Sequence, residues 1–412
     1  MTSSAGPIKP LDRIESIDAI RGVAVMGILL MNIRTFALPI SAYWNPTIHG
    51  GEEAIDRVVF YAVQLAADMK FMAIFSMLFG AGLVMYCRRL QARGIKPAGM
   101  WYRRLCWLLV IGIAHAWLLW YGDILVAYAL CGMLIYPIWR WKPMWQLLLG
   151  VILLLIGGLI WAGMGIGLSH APPEITAKVL SEFQPDAKAL QAEMLVHQGS
   201  WLTQTPWRMA AAIEMQTFIF AVWSLWRAGG LMLIGMALGA WGVFDAKRLS
   251  LGRLTIAMSL GVLGALFVMH GLDAFEADQW SGVDSVFANS LWNYYGSIGV
   301  ALAWVALIML VCRTSILAGV SNVLASVGRM ALTNYLAQSL CCALIFFGWG
   351  AGWHGHLGYA DQLWVVLGIW VAMMVWSPLW LARCRFGPVE WCWRSLTWWC
   401  PQPWRRQVHS SS

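Results

Sequence analysis

The sequence predicts an all-α, polytopic integral membrane protein, a single helical bundle of about ten transmembrane helices. Three observations predict it. Apolar residues make up 60% of the 412 residues and charged residues only 12%, about half the charged share of a soluble domain. The apolar residues gather in runs of about 20, the length a helix needs to cross a bilayer. The net charge of +8 alternates with those runs in the way that the preference for basic residues on the inner side requires. That placement argues for a lipid bilayer as partner and against nucleic acid.

The elements follow in order, with residues 1–18 as a cytoplasmic N-terminal segment and 19–381 as the membrane domain. The first span runs outward over 19–40 and the second inward over 58–87, broken in character at Asp68-Met69-Lys70. A basic inner loop follows, with Arg88, Arg89, Arg93, Lys96, Arg103 and Arg104 and no acid. Spans at 105–121 and 123–139 are joined by a very short outer turn, and a fifth spans 144–168. The segment 169–215 is predicted to lie outside, as one or two short helices on the outer face. Five further spans cover 216–244, 254–272, 290–311, 324–348 and 362–381. Residues 382–412, rich in Trp and Arg, read as a cytoplasmic interfacial tail.

Charge sets the orientation. Lys9, Arg13, Arg405 and Arg406 join the basic loop on the inner side, while the outer segments carry only Arg57, Lys178, Lys188 and Arg208. Both termini are therefore expected in the cytoplasm, in a bacterial inner membrane. The first seventeen residues are polar, and no small-residue cleavage site follows a short apolar core, so no cleavable signal peptide is expected. None of the nine cysteines falls in a predicted outer loop or a metal-ligand spacing, and no metal is expected. The sequence leaves room for an oligomer without requiring one.

A charge at membrane depth costs roughly 2.5–3.5 kcal/mol on insertion scales, so a charge that is kept there usually faces the bundle interior. Arg21 and Asn32 share one face of the first span, with Asp18 a turn before Arg21. Snorkelling accounts for Arg21 but not for Asn32, about 16 Å deeper at 1.5 Å per residue. Asp68 and Lys70 cannot face each other on a regular helix, so either the helix breaks or each finds a partner elsewhere. His115 shares a face with Arg104, and Asp123 follows close enough to orient its imidazole. Arg227, Arg329, Asn334 and Gln338 complete the polar set. For Asn334 and Gln338 the plain reading is interhelical hydrogen bonding, and for Gly235-Met-Ala-Leu-Gly239 it is close helix packing. The basic loop reads either as a topology signal or as a site for a phosphorylated ligand. Consecutive spans pack as neighbours, so Arg21, Asn32, Asp68 and His115 are expected to line one cavity.

Several blocks together resemble the YeiB-like family of bacterial polytopic membrane proteins, a domain of unknown function. They are Arg13-Ile-Glu-Ser-Ile-Asp18-Ala-Ile-Arg21-Gly22 with Gly27-Ile-Leu-Leu-Met-Asn32, Lys70-Phe-Met-Ala-Ile-Phe-Ser-Met-Leu-Phe-Gly80, and Gly112-Ile-Ala-His115 with Gly122-Asp123. Gly328-Arg329-Met-Ala-Leu-Thr333-Asn334-Tyr335-Leu-Ala-Gln338 and Gly387-Pro-Val-Glu390-Trp391 close the series. More distantly, the D-x-x-R-G opening is similar to that of acyltransferase family three and of the heparan glucosaminide acetyltransferases. The former place a histidine where this chain has Asn32.

That resemblance implies a transmembrane acyltransferase-like fold. Its implied activity moves an acyl group from cytoplasmic acyl-coenzyme A, a donor substrate and not a bound cofactor, to a hydroxyl or amine of an envelope acceptor. His115, Asn32, Asp68 and Asp123 would form the catalytic set. Arg21, Lys70, Arg104, Arg227, Arg329, Asn334 and Gln338 would bind substrate. The residues are equally compatible with a transporter or flippase for a small molecule or lipid-linked substrate. A non-catalytic assembly protein, whose polar groups only lock helices, is the third reading.

Overall fold

The computed structural model of the protein describes residues 14–405; Lys9, Arg13 and Arg406 lie outside the described residues. Among these, seventeen α-helices follow one another without a strand. The first six are α1 (Glu15–Ala37), α2 (Ala54–Ala66), α3 (Lys70–Ala92), α4 (Pro97–Leu118), α5 (Leu125–Ile135) and α6 (Pro143–Ser169). Then come α7 (Pro173–Phe183), α8 (Ala187–Gln198), α9 (Trp201–Gln216), α10 (Leu225–Ala240), α11 (Leu251–Ala277) and α12 (Gly282–Val286). The last are α13 (Ser290–Arg313), α14 (Ala318–Arg329), α15 (Ala331–Phe346), α16 (Tyr359–Arg383) and α17 (Pro388–Trp398). Proline opens α4, α6 and α17, where its missing N–H is not needed. Asp186, Ser200 and Ser250 cap α8, α9 and α11 by accepting backbone N–H groups.

Among the described residues, seven helical stretches are long and apolar enough to cross a bilayer, or eight if α14 and α15 count as one bent span. The α4–α5 pair makes up the difference from the expected count of about ten. Helix α4 starts among basic residues, and α5 is short even with the 3-10 turn over Tyr136–Arg140 that extends it. The turn between them is covered by α9: Trp201 Nε1 donates to the Leu118 carbonyl at 2.7 Å and Arg208 Nε to the Trp117 carbonyl at 2.9 Å. The segment 169–215 holds three helices, not one or two.

Two further differences are local. The second span is broken as anticipated, between α2 and α3, where Met69 adopts a left-handed φ of 62°. The predicted span 324–348 is two helices meeting at 79° around Met330. The run contains no proline, so nothing local announces that bend. Its cause is tertiary. Glu390 of α17 accepts the Leu332 and Thr333 N–H groups at 2.8 and 3.1 Å, satisfying orphan donors at the start of α15. Gly328 meanwhile seats α14 against α1, and a Cβ there would lie 1.8 Å from the Asp18 carbonyl oxygen.

Helix α1 occupies the centre, packed against α3, α13, α14, α15 and α16. On the other side of α3 lies α10, and Gly80 and Gly235 let the two backbones touch; Cβ atoms there would sit 1.8 and 2.0 Å from Met232 and Met77 carbonyl oxygens. Helices α6, α11 and α16 carry exposed apolar side chains such as Leu159, Ile256 and Trp364, the surface expected against lipid hydrocarbon.

Candidate active site

The polar residues of the spans fall into separate assemblies. The first is the pair His115–Asp123 at the α4–α5 turn. The His115 Nδ1 lies 2.7 Å from Asp123 Oδ2, with both side chains buried. The other carboxylate oxygen accepts the Val126 N–H at 2.8 Å and so caps the start of α5. A short turn between two antiparallel helices brings residues eight apart together, which is why this sequence pairs them. A carboxylate on Nδ1 holds the tautomer whose Nε2 can accept a proton. His115 Nε2 is buried and makes no hydrogen bond. Beside it the Tyr335 ring lies at 5.2 Å and the Trp120 ring at 6.1 Å.

The second assembly is a cavity of about 1090 Å³ at the basic end of the bundle. Among the described residues, seven arginines line it against three carboxylates. Arg21, Arg89, Arg93 and Arg104 come from α1, α3 and α4. Arg329 ends α14, and Arg385 and Arg394 come from the chain around α17. Asp18 pairs with one of these arginines, Arg21, at 3.1 Å, and Glu390 holds the start of α15. Arg104 is stacked 3.6 Å over the Trp393 ring, and the Trp393 indole donates to the Arg104 carbonyl. Farther from the arginines the wall becomes apolar, with Phe75, Leu78, Phe79, Leu108 and Leu125. Tyr128, Tyr335 and Ile124 complete that end. Tyr335 and Ile124 belong to both assemblies, since the Ile124 N–H donates to the Tyr335 hydroxyl at 3.3 Å. The buried pair therefore stands behind the cavity's far wall.

The third assembly sits at the α2–α3 break. Asn293 of α13 bridges the two charges, its amide N 2.5 Å from Asp68 and its amide O 2.7 Å from Lys70 Nζ. Lys70 also donates to the Gln64 carbonyl, and the Tyr43 hydroxyl donates to Asp68 at 3.2 Å. Both alternatives read from the spacing hold at once: the helix is broken, and the partner is on another helix. Arg227 donates to the Tyr294 carbonyl and to Ser297 Oγ, both at 2.6 Å. The buried Arg34 reaches the Phe60 and Tyr43 carbonyls.

The expected single cavity is thus corrected. Arg21, Arg104 and Arg329 line one space, with His115 and Asp123 just behind it. Asp68, Lys70 and Arg227 belong to the third assembly, because the break at Met69 turns Asp68 and Lys70 toward α13. Asn32, half-buried on α1, does not line the cavity. Asn334 donates to the Val327 carbonyl and Ser377, and Gln338 to the Val25 carbonyl and Met373. Both lock helices together. Arg34 and Asn293 were missed by sequence reasoning, although each is a polar residue inside an apolar run and carries the same signal as Asn32.

Comparisons with known proteins find relatives along nearly the whole chain. The family model for a protein of unknown function, DUF418, matches residues 238–400. The uncharacterized protein YeiB of Escherichia coli strain K12 is 32% identical over 398 residues, covering 94% of this chain and 97% of its own. The uncharacterized protein YxaH of Bacillus subtilis strain 168 is 27% identical over 422 residues, covering 97% and 98%. A 39.9 kDa uncharacterized protein of Bacillus acidopullulyticus is 26% identical over 404 residues, covering 95% of each chain. No solved structure matches.

Proposed function

Because the chain belongs to the DUF418 family of YeiB-like proteins, we propose one reaction for a membrane protein of that kind: transfer of an acyl group from acyl-coenzyme A to a hydroxyl or amine of an envelope acceptor. The observation that carries the reading is the contact between the arginine-lined cavity and the buried His115–Asp123 pair through Tyr335 and Ile124. In this reading the basic end faces the cytoplasm of an inner membrane, as the charge bias favours. The arginines neutralise the donor's phosphates, and Arg21, Arg104 and Arg329 belong to that set.

His115 Nε2 acts as the general base. It takes the proton of the acceptor hydroxyl or amine, and the freed lone pair forms the new C–O or C–N bond at the thioester carbonyl carbon. The C–S bond breaks, and the coenzyme A thiolate leaves with the proton that the imidazolium returns. Asp123 steadies the imidazolium. Asn32, Asp68 and Lys70 have no part in this step.

A transporter is the second reading, and the broken α2–α3 span with charges at its break favours it. Purified protein in nanodiscs, titrated with acyl-coenzyme A and assayed for thioester consumption, separates the two. The acyltransferase reading expects binding, and consumption that His115→Ala lowers by roughly 10²–10⁴. Absence of binding would reject it.

A further inference from the structure

We infer that the donor carries a hydrocarbon acyl chain rather than acetyl, and that helix α3 gauges its length at Gly82. This rests on the donor reading above. Among the residues of α3 and its C-cap that line the cavity, beside Leu78, Met85 and Leu90, are Phe75, Phe79, Gly82, Tyr86, Arg89 and Arg93. Their steps of four, three, four, three and four place them on one helical face. That face is graded. Arginines mark one end and phenylalanines the other, about 27 Å apart at 1.5 Å per residue. A donor with phosphates at one end and hydrocarbon at the other has the same gradient. Leu108 and Leu125 add more carbon to the lining. An acetyl group would cover almost none of that apolar surface, whereas a longer chain removes it from water.

Gly82 stands between the two halves. Glycine inside a helix is disfavoured relative to alanine, so it normally answers to a neighbour that leaves no room. Gly80, two residues earlier, has such a neighbour in the Met232 carbonyl. Gly82 has none, because a Cβ built there meets nothing within 4 Å. Packing does not ask for a glycine at this position, and the open space beside it belongs to the cavity. Its missing side chain keeps the passage from the arginines to the apolar chamber wide.

The test is direct binding of coenzyme A, acetyl-, octanoyl- and palmitoyl-coenzyme A to the full chain in nanodiscs, with Gly82→Phe beside the wild type. Wild-type affinity should rise by about fourfold per buried methylene until the chamber is full. Gly82→Phe should lower palmitoyl-coenzyme A affinity at least tenfold more than acetyl-coenzyme A affinity. Gly82→Leu repeats the comparison if the larger residue fails to insert. Equal affinity for acetyl and palmitoyl donors overturns the inference and leaves the donor reading standing. Failure of every thioester and of coenzyme A to bind removes both. Thermal stabilisation by phosphatidic acid in the nanodisc, but by no thioester, assigns the chamber to a membrane lipid and overturns the inference.

Discussion

The Tyr335 ring lies 5.2 Å from the His115 imidazole and also lines the arginine-rich cavity. One side chain thus parts the space proposed for the donor from the group proposed as base. Reaction requires that this partition yield, and it also keeps water from the thioester. We predict that Tyr335→Ala raises hydrolysis of bound acyl-coenzyme A relative to transfer. The ratio of free acid to acylated acceptor measures it, and an unchanged ratio would dismiss Tyr335 as a partition.

His115→Ala and Asp123→Asn should differ in kind. The first removes the base and should lower transfer by roughly 10²–10⁴. The second leaves an amide oxygen that can still accept from Val126, but its amide nitrogen then donates to His115 Nδ1 and selects the tautomer whose Nε2 already carries a proton. It should lower transfer comparably, with donor affinity unchanged. Single-turnover rates beside equilibrium binding check both, and full activity in His115→Ala would end its assignment.

Arg89→Gln should weaken donor binding roughly tenfold, the scale of one charge-assisted hydrogen bond. It should also flatten the salt dependence of binding, because one fewer cation is screened. Titrations at two ionic strengths would show this. A loss confined to turnover would place Arg89 elsewhere.

Asn293→Leu removes one hydrogen bond from each of the buried Asp68 and Lys70, which keep the Tyr43 hydroxyl and the Gln64 carbonyl. A hydrogen bond to a charged group contributes about 1.5–3 kcal/mol, so thermal unfolding in detergent should fall by several degrees. Donor binding by whatever fraction folds should be normal, because Asn293 does not line the cavity. Wild-type stability would mean that the bridge contributes nothing.

His197 of α8 and His354 of the loop before α16 stack with ring centroids 4.4 Å apart. Each Nδ1 sits on a backbone carbonyl, of Glu193 and Phe36 respectively. Burial lowers His197 to about 4 and His354 to about 3. Both are neutral when docked, whereas a detached imidazole titrates near 6.5. Docking is therefore fully stable above about pH 6.5 and loses stability as pH falls toward 4, since only the detached form gains protons. Glu193, His49 and His356 lie close enough to modulate the window. Hydrogen exchange in α8, corrected for intrinsic rate, should quicken between pH 7 and 5, and His354→Phe should flatten the trend. A pH-independent protection pattern would refute it.

The residues legible in advance share one property: their partners lie close in sequence, or their cost in lipid is large. His115 and Asp123 are eight apart across a tight turn, and the break at Asp68-Met69-Lys70 follows from two charges that cannot share a helix face. The bend at Met330 was not legible, because its cause is Glu390, sixty residues on. Nor was the grouping of the arginines. Positive-inside bias marks Arg89, Arg93, Arg385 and Arg394 as inner charges but does not say that they surround one space. Convergence of Asn32 and Asp68 with His115 was expected from chain proximity alone. Chain proximity does not say which way each helix face turns.

The contact between Glu390 and the start of α15 also bears on the order of synthesis. Every arginine of the cavity up to Arg329 is translated before Glu390 exists. Until α17 folds back, the Leu332 and Thr333 amides lack their acceptor, and the Trp393 ring is not yet over Arg104. The nascent bundle can therefore be threaded into the bilayer with its basic chamber still unroofed. A chain cut after Arg383 should insert and remain in the membrane, yet never acquire a closed donor site.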